Sequence, residues 1–157
     1  MKKVGKIVKW IVVIGACLFV VAQLIRPART NPSVDPAVTI EARTQMDPQV
    51  ARILDRSCAD CHSNKTRWPW YTNVAPVSWF IVNHVNEGRH DLNFSEWGNY
   101  NARRQDNKLH EMCDLAKGGV MPLGSYTPLH KGSTLSDEDK KALCDWTNRE
   151  RAALTSR

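Results

Sequence analysis

The sequence predicts an all-α protein in which a small helical domain follows one N-terminal apolar helix. Apolar residues recur at helical spacing in four separate segments, and residues typical of helix ends flank those segments. No stretch of the 157 residues alternates between apolar and polar side chains, as a half-buried strand would. About 110 residues follow the apolar helix and its connection, which suits one small domain.

The first element, residues 7–25, is predicted to be a membrane-spanning helix. It is almost entirely apolar, and nineteen residues at about 1.5 Å each reach about 28 Å, close to the hydrocarbon thickness of a bilayer. Lys2, Lys3, Lys6 and Lys9 precede or enter the span, while Arg26 and Arg29 follow it. The stronger positive flank is expected to hold residues 1–6 in the cytoplasm. We therefore expect an uncleaved signal anchor in the inner membrane, with the rest of the chain facing the periplasm or cell exterior.

Cys17 offers an alternative processing of this segment. Residues 14–17, Ile-Gly-Ala-Cys, resemble a bacterial lipobox, which would be cleaved before Cys17 and acylated there. However, the apolar run continues for eight residues after Cys17, whereas a lipoprotein usually becomes polar at that point. A lipid-facing cysteine in an intact anchor is the favoured interpretation.

The charge distribution excludes a nucleic-acid partner. The net charge of +6 comes from the first thirty residues, which contain six basic and no acidic side chains. Residues 31–157 hold sixteen basic and sixteen acidic residues, so the body of the protein is neutral overall. The basic character reflects membrane topology and gives no basic surface for nucleic acid.

The remaining elements are a tether and four helices. Residues 26–46 contain three prolines and lack apolar periodicity, which predicts a flexible tether before a domain at 47–157. Asp47 and Pro48 mark the N-cap and first residue of a helix. Later helices are expected at 77–87, at 101–117 and at 136–154. The first of these should end at Gly88, and its apolar stripe consists of Phe80, Ile81, His84 and Val85. The second should end before two glycines. The last begins with the capping-box pair Ser136 and Asp139. Residues 64–76 are expected to form a loop.

Residues 58–62 read Cys-Ala-Asp-Cys-His, the C-x-x-C-H signature of covalent c-type haem attachment. Two thiols three positions apart can each bond one vinyl group of the same porphyrin, and His62 then faces the iron as an axial ligand. A structural zinc site usually draws ligand pairs from two segments, and a thioredoxin-like dithiol needs a βαβ setting. Neither is visible, so one covalently attached haem c at Cys58, Cys61 and His62 is the favoured cofactor.

Met121 is the favoured second ligand of the iron. It lies in a Gly-Gly-Val-Met-Pro loop after a helix, where the proline restricts the backbone. The order of helix, C-x-x-C-H, long middle segment, Met-Pro and closing helix resembles the class I cytochrome c pattern. An unremarkable gap-filling methionine is the alternative interpretation.

Histidines provide the alternative second ligands. His130 lies in a loop and is the best of them, whereas His84 lies on an apolar helix face, where a core histidine is common. His90 and His110 stand among polar residues and are expected to face solvent.

Cys113 and Cys144 are candidates for a disulfide bond. The predicted topology places both in an oxidising compartment. Two small buried side chains remain the alternative, because the sequence does not show whether the two backbones come close enough.

Several ordered blocks of the sequence resemble the small bacterial haem-binding domain family over about residues 48–150. The blocks are Cys58 to Tyr71, Ala75 to Trp79, His84 to Arg89, Leu92 to Trp97, Met121 to Tyr126, and His130. The resemblance implies a membrane-tethered or exported c-type haem domain with Cys58, Cys61 and His62 as haem residues. It leaves His84, Met121 and His130 open as second ligands.

The expected function is that of a membrane-anchored monohaem cytochrome c that carries single electrons between redox protein partners outside the cytoplasmic membrane. No activated nucleophile or paired carboxylate site is evident in the sequence, so an enzyme is not expected. The alternatives are a haem-based gas sensor or haem enzyme with an open or exchangeable sixth iron position, and a zinc-stabilised interaction module.

Overall fold

The computed structural model describes residues 2–156, and within them the secondary structure is entirely helical. The α-helices are α1 (Lys2–Ala22), α2 (Ile40–Arg43), α3 (Pro48–Ser57), α4 (Ala59–His62), α5 (Val77–Asp91), α6 (Ala102–Lys117) and α7 (Asp137–Thr155). Short 3-10 turns lie at Pro36–Val38, Trp70–Asn73 and Phe94–Asn99. The prediction of an all-α chain with one N-terminal apolar helix is confirmed.

Helix α1 is long and apolar enough to cross a membrane. Its segment Lys3–Ala22 has a mean hydropathy of 2.2, and none of it is buried against the rest of the protein. The helix ends three residues before the predicted position 25. The backbone N–H groups of Leu24 and Ile25 bond only three residues back, and the side-chain amide of Gln23 hydrogen-bonds to the backbone of Ala75 at this point.

The prediction that residues 26–46 form a flexible tether is wrong. Arg29 and Thr30 hydrogen-bond to Thr72 and Arg89 of the domain, and the second half of the segment packs into it. The 3-10 turn Pro36–Val38 and helix α2 both pack against the turn Phe94–Asn99. Ile40 is completely buried and belongs to the hydrophobic core. Because a single anchoring isoleucine creates no periodic pattern, this docking was not predictable from the residues alone.

Helices α6 and α7 pack along each other and form the main core with α3. Leu109, Leu143 and Trp146 are at most 2% exposed. The structure joins Cys113 of α6 to Cys144 of α7 by a disulfide, with a Cα–Cα distance of 4.8 Å. The helix ends follow the sequence signals: Asn101 caps α6, and the predicted capping box starts α7.

Helix α5 differs from its prediction in length and in its buried face. The helix does not end at Gly88 but continues to Asp91. At Gly88, α5 crosses the backbone of Cys61. A Cβ at residue 88 would lie 2.7 Å from the carbonyl oxygen of Cys61, so the glycine permits a close approach and does not end the helix. Of the predicted apolar stripe, Val85 is buried, whereas Phe80 is 54% exposed.

Candidate functional site

The C-x-x-C-H motif lies at the junction of two helices. Cys58 ends α3 and, with non-helical backbone angles, also caps α4. The remaining motif residues form the single turn α4, in which the backbone N–H of His62 donates to the carbonyl oxygen of Cys58 at 3.0 Å. Two elements thus meet at the motif, and the turn brings both thiols and the imidazole to one cleft.

Two backbone carbonyls of α5 and its C-cap determine the tautomer of His62. Its Nδ1 lies 3.0 Å from the carbonyl oxygen of Gly88 and 3.0 Å from that of Leu92. Because a carbonyl can only accept, Nδ1 must carry the proton. Nε2 then has a free lone pair, and the hydrogen bonds at Nδ1 fix the ring in the manner typical of metal-ligating histidines.

The cleft beside the motif has the size and lining of a cofactor site. Its cavity volume is about 290 Å³, at the lower end of the roughly 300–1,000 Å³ range of ordinary cofactor pockets. Cys58, Cys61, His62, His84 and Met121 all border it. Two adjoining cavities extend it with mainly apolar walls. Their apolar lining includes Leu92, Phe94, Met112, Leu115 and Leu143 on one side and Trp68, Phe80, Ile81, Val85 and Leu129 on the other.

Both motif cysteines are free, neutral thiols. Burial raises the pKa of Cys58 to about 12, with the nearby Cys61 adding to the shift and Arg56 opposing it. Burial likewise raises the pKa of Cys61 to about 11, assisted by the charge of Asp60 and opposed by Arg89. Redox-active C-x-x-C pairs have a lowered pKa, because the thiolate is the attacking species. The raised values argue against a thiol–disulfide exchange site.

Met121 borders the same cleft as His62 and also the apolar cavity beside it. Its backbone N–H donates to the carbonyl oxygen of Leu115 at 3.1 Å, which ties the loop to the end of α6. The side chain is partly buried. A thioether is thus held on the wall of the cleft that contains the imidazole of His62.

His84 is presented to the cleft in the same chemical form as His62. Its Nδ1 lies 2.9 Å from the carbonyl oxygen of Phe80, one turn earlier in α5. Nδ1 is therefore the donor, and Nε2 retains its lone pair. The structure thus brings together Cys58, Cys61, His62, His84 and Met121 around one cleft.

A family comparison agrees with this geometry. The family model described as "Haem-binding domain" matches residues 17–149, most of the chain. The chain belongs to the haem-binding domain family. No curated protein and no solved structure matches it.

The residues present fit a haem. The cleft offers an imidazole Nε2 lone pair, two unbonded thiols and apolar walls, which are the groups that covalent haem attachment uses. Among residues 2–156, no three His, Cys, Asp or Glu side chains converge on one point as the ligands of a metal ion would.

His130, the favoured histidine alternative from the sequence, lines the cavity beside the cleft, but both of its ring nitrogens have partners there. Its Nδ1 lies 2.9 Å from the carbonyl oxygen of Tyr126, and its Nε2 lies 3.1 Å from the Tyr71 hydroxyl. Its ring stacks on that of Tyr126 with centroids 3.7 Å apart. Ligation by His130 would require breaking the contact with Tyr71. His90 and His110 are exposed, as expected.

A buried carboxylate links the motif to the loop that carries Met121. Asp60 accepts hydrogen bonds from the backbone N–H and Nε of Arg67, at 3.1 and 2.9 Å, and from the Tyr126 hydroxyl at 2.8 Å. Burial and the bond to Asp60 raise the pKa of Tyr126. The phenol thus remains protonated and holds the loop 118–130 against α4.

Arg89 ties the end of α5 to the loop after the motif. Its guanidinium donates to the carbonyl oxygens of Ser63 and Thr30 and to the Thr66 hydroxyl. Sequence reasoning missed both this arginine and Asp60, because their partners lie up to 66 residues away along the chain.

Proposed function

We propose that this protein is a membrane-anchored monohaem c-type cytochrome that carries single electrons on the outer side of the cytoplasmic membrane. The observation that carries the proposal is that Cys58, Cys61 and the Nδ1-protonated ring of His62 border one cleft with apolar walls. When bound, haem supplies a one-electron redox couple. A site that serves only as an electron carrier needs no acid, base or nucleophile beside it.

The chain's own residues perform three tasks in this proposal. His62 provides an imidazole whose orientation is held by two carbonyls, and such hydrogen bonds increase the basicity of a ligand. The apolar walls exclude water, which is one of the factors that set a redox potential. Asp60 and Tyr126 hold the Met121 loop against the motif.

Met121 is our proposed sixth ligand of the iron. Its support is its position on both cavities that His62 borders. His84 is the second candidate, supported by its free Nε2 at the edge of the same cleft. A thioether favours ferrous iron relative to imidazole, so ligation by Met121 implies a higher potential than a bis-histidine site in the same surroundings.

Anchoring and compartment are also proposals. Helix α1 is long enough to span a bilayer, and the lysines at its start favour a cytoplasmic N-terminus. The domain would then face the periplasm or cell exterior, where haem attachment and the Cys113–Cys144 disulfide are both compatible with an oxidising compartment. Redox proteins of that compartment would be its partners.

An absorption spectrum of the reduced full-length protein, with and without carbon monoxide, tests the proposal. We expect sharp bands that carbon monoxide does not shift, because both axial positions are filled. A shift on adding carbon monoxide to the wild type would instead favour a gas sensor or haem enzyme with an exchangeable ligand. A colourless protein from a host that attaches haem would contradict any haem function.

Substitutions identify the sixth ligand in the same measurement. Met121→Ala should open the iron to carbon monoxide and abolish the sulfur-to-iron charge-transfer band of the oxidised protein. His130→Ala is the matched control, because its ring is engaged by Tyr71 and Tyr126, and it should leave both signals unchanged. If His84→Ala opens the site and Met121→Ala does not, His84 is the ligand.

A further inference from the structure

The domain makes specific contacts with the chain that leaves α1. The Gln23 side chain donates from Nε2 to the carbonyl oxygen of Ala75 at 3.2 Å, and its Oε1 accepts from the Ala75 N–H at 3.0 Å. Trp79 Nε1 donates to the carbonyl oxygen of Ile25 at 2.7 Å. Arg29 also donates to the Thr72 hydroxyl. The domain is therefore held directly at the end of α1 and not at the far end of a free linker.

Beside these contacts lies an exposed apolar face, which we define as Trp70, Val77, Trp79, Phe80 and Leu129. Their exposed fractions are 77%, 43%, 37%, 54% and 63%, respectively. Three chain segments contribute to this face. Phe80 and Leu129 line one cavity, Tyr71, next to Trp70, bonds His130, next to Leu129, and Val77 and Trp79 precede Phe80 in α5. Large apolar side chains grouped in this way mark a contact surface.

The length of α1 places this face at the membrane boundary. Its twenty-residue apolar segment spans about 30 Å, which matches the hydrocarbon core of a bilayer. Gln23 then lies at the edge of the hydrocarbon, and groups hydrogen-bonded to residues 23 and 25 lie in the headgroup layer. Tryptophan is enriched in that layer, where its ring is apolar and its N–H is paired. Arg26 and Arg29, close to the same edge, suit lipid phosphates.

We propose that the haem-binding domain docks on the outer leaflet of the membrane, with its apolar face inserted among phospholipid headgroups and upper acyl chains. This inference rests on the proposed membrane anchoring by α1. It goes further, because an anchor alone would allow the domain any orientation. Phe80 and Leu129 line the cavity that also contains Cys61 and His84, so docking places one edge of the haem cleft beside the lipid.

Photolabelling in a bilayer tests the docking. The full-length haem-loaded protein is placed in nanodiscs of phosphatidylcholine and phosphatidylglycerol in which some acyl chains carry a diazirine, and adducts are mapped by mass spectrometry. We expect adducts in α1 and also within residues 70–80 and at Leu129. The exposed surfaces of α6 and α7 should remain unlabelled.

Variants show whether the apolar face itself makes the contact. Trp70→Ser with Val77→Ser, two residues of the face that do not line the haem cleft, should lower the adducts on residues 70–80 and Leu129 several-fold and leave α1 labelling unchanged. Val120→Ser, at a valine at least as exposed as Val77 but outside the face, is the control and should change neither. An unchanged haem spectrum verifies that each variant is folded.

The outcomes separate the docking from the anchoring. If α1 is labelled and the apolar face is not, the docking proposal is wrong and the anchoring proposal stands. The face would then be exposed to solvent or bound by a protein partner. Face labelling that the double substitution does not reduce would also overturn the docking. Absence of label from both regions would contradict the anchor on which the inference rests.

Discussion

The pair α6–α7 and the cleft beside α4 and α5 are stabilised in different ways. Leu109, Leu143 and Trp146 fill the space around α6 and α7 almost without exposure, and the Cys113–Cys144 disulfide joins the two helices. The cleft half depends on polar contacts such as those of Asp60 and Arg89, and its apolar side chains face a cavity. The helical pair thus buries most of its apolar surface between its own helices, whereas the apolar side chains of the cleft half line the cavities in which a haem would pack.

This difference explains how a domain of about 110 residues can hold a large flat cofactor. A small domain has little apolar surface to bury, so the cofactor becomes part of the core. The helical pair then provides one fixed wall, including Leu143 and Met112, against which the cofactor can pack. Removing parts of each half should therefore have different consequences.

The largest effect is expected from the centre of the helical pair. Trp146→Ala should lower the free energy of unfolding by about 3–5 kcal/mol, because Trp146 is fully buried and the vacated space cannot be filled. Urea unfolding in detergent measures this. Trp70→Ala is the matched control, since Trp70 is 77% exposed. It should change the free energy of unfolding by no more than about 0.5 kcal/mol. Equal effects of the two substitutions would contradict the assignment of the core.

The second effect concerns the disulfide. Cys113→Ala with Cys144→Ala should lower the free energy of unfolding by about 3 kcal/mol, because the bond closes a loop of 31 residues in the unfolded chain. The haem spectrum should be preserved, since neither cysteine borders the cleft. Cys17→Ala, in exposed α1, should leave the stability of the domain unchanged. A double variant that is as stable as the wild type would show that the bond does not form.

The third effect should be confined to the cleft half. A haem-free protein made by Cys58→Ala, Cys61→Ala and His62→Ala should lose amide protection in α5 by on the order of 100-fold, equivalent to about 2.7 kcal/mol. Protection in α6 and α7 should fall much less, because most of their core lies between the two helices and the Cys113–Cys144 disulfide joins them. Hydrogen exchange with mass spectrometry resolves the two regions. A uniform loss across both would mean that they do not differ in their dependence on haem.

The smallest effect is pH-dependent and concerns the start of α7. Burial raises the pKa of Asp139, but hydrogen bonds from Ser136 and Arg56 outweigh it and hold this pKa below the ordinary value. Because the folded-state pKa is lowered, the stabilisation is present above about pH 4 and is lost as the pH falls further. Asp139→Asn should therefore cost about 1 kcal/mol at pH 7 and progressively less below pH 4.

Asp145→Asn is the control for this titration. Asp145 lies on the same helix and pairs with Lys141, but it is exposed, so its removal should have a smaller effect. A cost of Asp139→Asn that is independent of pH would show that the charge of Asp139 is not what stabilises the capping box.

Features set by short stretches of sequence were predictable, and features set by contacts between distant segments were not. The helix ends at Asn101 and Ser136 and the motif at residues 58–62 depend on neighbouring residues, and all were recognised. Gly88 was misread as a helix stop, because its role depends on Cys61, 27 residues earlier. The burial of Ile40 and the bond between Asp60 and Tyr126 were missed for the same reason.

The residues of the candidate site show the same difference between what neighbouring residues predict and what distant contacts decide. The attachment residues Cys58, Cys61 and His62 are adjacent in sequence, whereas the second ligand comes from a separate segment. The sequence ranked His130 above His84, but Tyr71 and Tyr126 occupy both nitrogens of His130, while His84 has its Nε2 free at the cleft. The choice between Met121 and His84 stays a prediction.

Intact mass spectrometry under denaturing conditions tests the central claim most directly. The full-length protein is produced in a host that attaches haem to c-type cytochromes and is extracted with acid-acetone before measurement. We predict a chain that carries the mass of one haem, held by Cys58 and Cys61, with each Cys→Ala variant retaining one thioether at most. A mass equal to that of the unmodified chain, with all haem in the extract, would contradict covalent attachment and with it the assignment as a c-type cytochrome.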